Sequence, residues 1–259
     1  VSTIDLRAQD GIASVTLTDP DRRNAISLGM VDEIVEAFDV IEARPDVHAV
    51  VVTGAGRAFC AGADLATLAK ADPAEYARLY ESFLRVARCP LPTIAAVNGP
   101  ATGAGLNLAL ACDVRLAAPE ARFVARFMQV GLHPGGGHTW MLQRAVGPQR
   151  TAAMVLLGEE VDGATAVEWG LALRCVERSQ LLDAALTMAA GAVAVPRALV
   201  ERVKATMSTL GAPDGDELER AAAIEAEAQE WSTRQDFFRD RIAAMRDRVA
   251  GSSSRPPAP

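Results

Sequence analysis

The chain opens on an alternation of apolar and polar residues, TIDLRAQDGIASVTL over residues 3 to 17, broken at Asp10-Gly11. Period-two patterning around an Asp-Gly break predicts a β-hairpin that turns at those two residues. The period then changes. Leu28, Val31, Ile34, Val35, Phe38 and Ile41 recur at helical spacing, and Ser27 stands where its side chain caps a helix start. The run from Val47 to Thr53 is mostly apolar and reads as a buried strand. Strand, helix and strand then recur as PTIAAV (92 to 97), a helix from about Gly103 to Cys112, and DVRLAA (113 to 118), while residues 73 to 88 also read as helix. Repeated crossovers of this kind predict an α/β domain.

After about residue 160 the pattern becomes helical, in segments 179 to 191, 196 to 209, 216 to 230 and 233 to 249. Phe238, Ile242, Met245 and Val249 give the last of these an apolar stripe. The chain thus divides into an α/β core (1 to 195), a helical region (196 to 250) that docks on the core or on a neighbouring subunit, and a flexible tail, GSSSRPPAP (251 to 259).

Charge and composition narrow the function. A formal net charge of −7 over 259 residues argues against nucleic acid or an anionic membrane surface as the main partner, and for a small ligand. Cys60, Cys89, Cys112 and Cys175 show no CxxC spacing, so they read as free thiols of a reducing compartment rather than metal ligands. The N-terminus lacks the apolar core of a signal peptide, which predicts a cytoplasmic protein. Asn98, Gly99 and Pro100 interrupt the longest uncharged run, 91 to 112, so no membrane span is expected there.

Two glycine loops carry the candidate chemistry. Gly54, Ala55 and Gly56 follow the buried strand and resemble a dinucleotide-binding turn, yet Phe59 stands where the third glycine belongs and no second strand ending in Asp or Glu follows. The second loop, NGPATGAGLNLALACD (98 to 113), has the same strand-to-helix form. Two such turns can aim unpaired peptide N–H groups at one point, as an oxyanion hole does.

At these loops the chain resembles the crotonase superfamily, the enoyl-CoA hydratase and isomerase group. RRNAISLGM, GAGRAFCAGADL, VNGPATGAGLNLALACD and GLHPGGGHTWMLQRAVG match its motifs in order over residues 12 to 180. The resemblance implies a spiral of ββα units, a helical C-terminal region that trimerises, and often a dimer of trimers. It implies an acyl-CoA thioester as substrate, with coenzyme A part of that substrate and no separate cofactor. The two carbonyl-binding N–H groups carry over to Cys60 and Ala104, and the substrate-binding positions to Arg23, Ala25, Ala61, Gly62, Ala63, Asp64, Leu65, Gly103, Gly105 and Phe127. Arg22 and Arg23 stand where basic residues approach the CoA phosphates; Asp64 reads as a helix cap.

The chain departs from that family where hydratases carry two glutamates, at Asn107 and Phe127, and it has Gly135 where some isomerases place an aspartate. Hydration needs one group to deprotonate water and another to protonate the α-carbon, and neither Asn nor Phe does this. His133 and His138 are the remaining acid-base candidates, with Arg126 and Gln129 behind them. Three readings follow: an acyl-CoA lyase, isomerase or hydratase-like enzyme with unusual acid-base residues, a non-catalytic acyl-CoA binding module, and, more remotely, an NAD-dependent oxidoreductase.

Overall fold

The structure is a computed structural model that describes residues 2–69, 73–211 and 217–253. The N-terminal alternation forms the expected hairpin, β1 (Ile4–Gln9) and β2 (Ile12–Leu17), paired antiparallel. Asp10 and Gly11 both take positive φ (51° and 79°), the twist that suits a two-residue hairpin turn. Helix α1 (Leu28–Ala43) follows, capped by Ser27, whose Oγ accepts from the Met30 amide. Strand β3 (Ala49–Gly54) is buried at every residue because it is central in a sheet covered on both faces.

The chain continues through a single helical turn, α2 (Leu65–Leu68), and α3 (Pro73–Ala87) to β4 (Thr93–Val97), β5 (Pro100–Thr102), α4 (Ala104–Ala111) and β6 (Val114–Ala117). Strand β7 (Arg122–Val124), α5 (His138–Leu156), β8 (Glu160–Asp162), α6 (Gly163–Trp169) and β9 (Arg174–Cys175) precede four helices, α7 (Arg178–Val193), α8 (Arg197–Gly211), α9 (Glu217–Thr233) and α10 (Asp236–Ser253). The main sheet runs β1-β2-β3-β4-β6-β9 and is parallel from β2 onward; β5, β7 and β8 form a small second sheet. Strands β8 and β9 lie in the stretch that the sequence pattern gave wholly to helices. They are two or three residues long, too short for any periodicity to register.

One face of the main sheet shares a buried cluster with α1, α3, α4 and α5, in which Phe38 of α1, Phe59 of the first glycine loop, Leu106 of α4 and Phe123 of β7 are all fully buried. The other face is covered by α7 through Leu181, Ala185 and Ala189. The C-terminal helices return to their own core: α9 lies on α5, and α10 on α2 and the turn after Phe127, where Phe238 and Ile242 meet Phe127, Val130 and Leu132. The tail beyond residue 253 lies outside the described residues.

Two buried asparagines hold the glycine loops. Asn24 Nδ2 donates to the carbonyls of Ala55, Ala58 and Phe59 (2.9, 3.0 and 3.2 Å). Asn98 Nδ2 donates to those of Gly54 and Gly56 (2.8 and 3.2 Å), and its Oδ1 accepts from the Gly54 amide. These carbonyls cannot pair within a sheet or helix, and a buried acceptor without a partner costs about 1–3 kcal/mol. Asn24 sits at φ 56°, so Asn24→Gly keeps the backbone while removing the amide. That variant is expected to lose about 1–3 kcal/mol in urea unfolding; an unchanged midpoint contradicts the role given to Asn24.

Candidate active site

The two glycine loops cross so closely that side chains are excluded. A Cβ on Gly62 would lie 2.6 Å from the Thr102 carbonyl oxygen, and one on Gly105 would lie 2.3 Å from that of Cys60. A short parallel bridge, Cys60 to Ala101, fixes the register of the crossing. It also decides which amides remain free.

The Cys60 amide donates to the Pro100 carbonyl (3.1 Å), and its side chain is fully buried with the thiol pushed up to about 12 by burial. Cys60 is therefore neither a pocket-facing donor nor a thiolate, and the expectation that placed the first N–H there is corrected. Further along, Ile26 and Asp64 take the loop's other hydrogen bonds, and the Ala63 amide is left without an acceptor among the described residues. The Ala104 amide, first in α4, is likewise unpaired. Both residues line the same pocket. Dinucleotide binding is not supported by this geometry: residues 57–63 after Gly56 run into isolated bridges, so no helix N-terminus faces a pyrophosphate there.

The pocket encloses about 670 Å³, counting its open mouth. Of the candidate site residues, Ala61, Gly62, Ala63, Leu65, Gly103, Ala104, Asn107 and Phe127 line it; Ala25, Asp64 and Gly105 do not. Asp64 Oδ1 accepts from the Ala66 and Thr67 amides (2.9 and 3.0 Å), the cap anticipated for it. Gly105 serves the loop crossing instead. Arg23 is exposed beside the loop, its carbonyl accepting from the Ala61 amide (3.0 Å), while Arg22 is paired to Asp19 (2.7 Å). Arg126 lines the pocket and pairs with Glu160 (2.9 Å); Gln129 is exposed and outside it.

Tyr76, Tyr80 and Phe83 of α3 also line it, and so do two residues to which the sequence gave no site role, Gln229 of α9 and Met245 of α10. Tyr80 donates to Gln229 Oε1, and Gln229 Nε2 donates to the His133 carbonyl (2.8 Å). Burial raises both tyrosines, Tyr76 to about 12. A Cβ at Gly135 would lie 2.4 Å from Tyr80 Oη, so no aspartate fits there without displacing this network.

Neither histidine lines the pocket. His133 is bound to its own chain, its amide donating to Ser232 Oγ (3.0 Å) and its Nδ1 lying 2.6 Å from the Pro134 carbonyl. His138 is fully buried behind Phe127, ring centroids 4.7 Å apart, and its Nδ1 is 2.5 Å from Asn107 Oδ1. Asn107 Nδ2 donates to the Gly135 carbonyl (2.9 Å). A carbonyl only accepts, so the amide nitrogen must face Gly135, and His138 Nδ1 must carry the hydrogen that Asn107 Oδ1 accepts. Nε2 is left as a bare, buried lone pair. The start of α5 is pinned from α9 by Glu225, which accepts from the amides of His138 and Thr139 (both 2.8 Å).

Burial lowers the His138 pKa to about 3, so the imidazole is neutral in the folded protein. In the unfolded chain it titrates near 6.5. The unfolded state then binds the extra proton below about pH 6.5, so this contribution to stability is complete above that pH and is lost as pH falls toward 3. Between pH 7 and pH 5 the parent is expected to lose about 2 kcal/mol more than His138→Asn, read by urea unfolding at each pH. Parallel pH profiles would contradict the buried neutral imidazole.

A family model described as Enoyl-CoA hydratase/isomerase matches residues 7–246. A Mycobacterium tuberculosis (strain H37Rv) protein named probable enoyl-CoA hydratase EchA14 is 52% identical over 244 residues, covering 92% of this chain and 94% of that protein. The 1,2-epoxyphenylacetyl-CoA isomerase of Escherichia coli K12 is 32% identical over 246 residues, 92% of each chain. Among solved structures, an enoyl-CoA hydratase/isomerase from Xanthobacter autotrophicus Py2 matches with a TM-score of 0.86 at 32% identity, covering 99% of each chain. The fold, the crossed glycine loops and these relatives agree: the chain belongs to the enoyl-CoA hydratase/isomerase family, within the crotonase superfamily.

Proposed function

We propose that the pocket binds an acyl-CoA thioester with its carbonyl oxygen between the Ala63 and Ala104 amides, and that the polarised thioester undergoes isomerase- or lyase-type chemistry rather than rapid hydration. The observation that carries this reading is the pair of unpaired amides in one apolar pocket. Each such donor is worth about 10²–10³ in rate once charge develops on the oxygen. Coenzyme A enters as part of the substrate, and the exposed Arg23 beside the loop suits its phosphates.

The argument against rapid hydration is chemical. Among the described residues the lining holds no carboxylate and no imidazole. An acid or base contributes about 10²–10⁴ each, and Asn107 can hold a water by hydrogen bonding without taking its proton. The name of the E. coli relative, an isomerase of an acyl-CoA, agrees with a reaction other than hydration. The same lack of a carboxylate or imidazole in the described lining favours one second reading, an acyl-CoA carrier or sensor without turnover; release of any product from a panel of acyl-CoAs separates the two.

Ala104 occupies the first position of α4, where proline is tolerated in a helix, so Ala104→Pro removes one donor with little demand on the fold. The folded variant is expected to bind thioesters at least tenfold more weakly or turn them over at least 100-fold more slowly; parent-like behaviour contradicts the clamp. Crotonyl-CoA hydration by the parent is expected to be slow, and Asn107→Glu with Phe127→Glu to raise it. Fast hydration by the parent, unaffected by His133→Ala and His138→Ala, contradicts the reading.

Assembly as a trimer or a dimer of trimers belongs to the same proposal. Leu199, Val203 and Met207 form an exposed apolar row on α8, four residues apart. Light scattering at micromolar concentration is expected to give a trimer or hexamer mass; a monomer contradicts this.

A further inference from the structure

Tyr80 of α3 and Gln229 of α9 meet at Gly135. A Cβ on that glycine would lie 2.4 Å from Tyr80 Oη and 2.6 Å from Gln229 Nε2, so both atoms crowd one backbone position, and all three residues line the pocket. Gln229 is buried, and a partner that can only accept sets its orientation: Nε2 donates to the His133 carbonyl (2.8 Å). Oε1 is thereby turned to Tyr80. Two oxygens in hydrogen-bond contact need a hydrogen between them, and only the phenol can supply it. Burial, with the nearby Glu225 carboxylate, holds that phenol above its ordinary range, so the hydrogen stays in place at pH 7. Two capacities are left over. Tyr80 Oη keeps a lone pair without a donor, and the second Nε2 hydrogen is without an acceptor, among the described residues.

An acceptor and a donor side by side match a hydroxyl, which gives its hydrogen to one and takes a hydrogen from the other. We propose that Tyr80 and Gln229 form a subsite for a hydroxyl on the distal part of the acyl group, so that the substrate class is a distally hydroxylated acyl-CoA with an otherwise apolar chain. This rests on the thioester clamp at Ala63 and Ala104. Helix α4 sets the separation from that clamp. Asn107 stands three residues beyond Ala104, about 5 Å along the helix, and donates to the Gly135 carbonyl (2.9 Å). The wall at Gly135 therefore lies past Asn107 and faces the far end of the acyl group. Leu79, Phe83, Val130 and Leu132 belong to the apolar part of the lining, where a hydroxyl without partners is unfavourable.

The test is titration calorimetry of the full chain at pH 7 with 6-hydroxyhexanoyl-CoA and heptanoyl-CoA, which are matched in length and differ by a hydroxyl in place of a methyl group. The hydroxylated ligand is expected to bind about fivefold more tightly, the net worth of hydrogen bonding once the hydroxyl's lost water contacts are counted. In the double variant Tyr80→Phe with Gln229→Leu the hydroxyl meets apolar atoms alone, and the preference is expected to reverse, to about fivefold in favour of heptanoyl-CoA. A network that only holds the wall in place would weaken both ligands together and leave their ratio unchanged, which would overturn the proposal. Heptanoyl-CoA bound as tightly as the hydroxylated ligand, or more so, by the parent, with both sensitive to Ala104→Pro, overturns the subsite alone. Indifference of both ligands to Ala104→Pro overturns the clamp and the inference with it. If the double variant does not fold, the parent's ligand ratio decides.

Discussion

The crossing of two backbones at van der Waals distance is the constraint on which the site depends. Gly62 and Gly105 meet opposing carbonyls at separations that leave no room for a methyl group. Chains brought that close satisfy one another's peptide groups in a short bridge, and the Cys60 amide is spent there on Pro100. What remains unpaired follows from strand geometry and helix ends: Ala63, beyond the bridge, and Ala104, the first residue of α4. Unpaired donors in an apolar pocket are a standing cost, which an acceptor oxygen placed between them would relieve. Asn24 and Asn98 hold the crossing rigid by collecting the carbonyls that the tight turns strand. Rigidity matters because stabilisation of developing charge requires donors already in place.

The second half of the chain completes the pocket from the far side. Glu225 fastens α9 to the start of α5, and Gln229 joins Tyr80 to the His133 carbonyl. Phe127 closes over His138 while α10 packs on Phe127. The position that resemblance assigns to a catalytic glutamate thus holds an apolar cover, and the histidine behind it, its pKa lowered by burial, is bonded to Asn107. The two departures from the family pattern and the buried histidine are one connected arrangement.

Much of this was legible in the sequence. The hairpin at Asp10-Gly11, the Ser27-capped helix, the buried strand and the helix after Gly103 each announce themselves through local pattern, because each is specified by neighbours in the chain. The close approach of the two loops was legible through their glycines. The donor in the first loop was not: whether Cys60 or Ala63 faces the pocket depends on pairing with residues some forty positions away, which no local pattern encodes. Asp64 offered a partial signal, since a cap at the start of α2 turns the chain just after Ala63. The roles of Glu225, Gln229 and His138 rest on contacts between elements far apart in the chain, so His133 and His138 could be read from the sequence only as titratable candidates.

The central claim is that the thioester carbonyl lies between the Ala63 and Ala104 amides. A crystal structure of the protein with a bound acyl-CoA measures this directly. The account predicts a thioester oxygen within about 2.7–3.2 Å of both nitrogens, with the Cys60 amide still bonded to Pro100. A carbonyl oxygen bonded elsewhere, or to only one of the two amides, would contradict it.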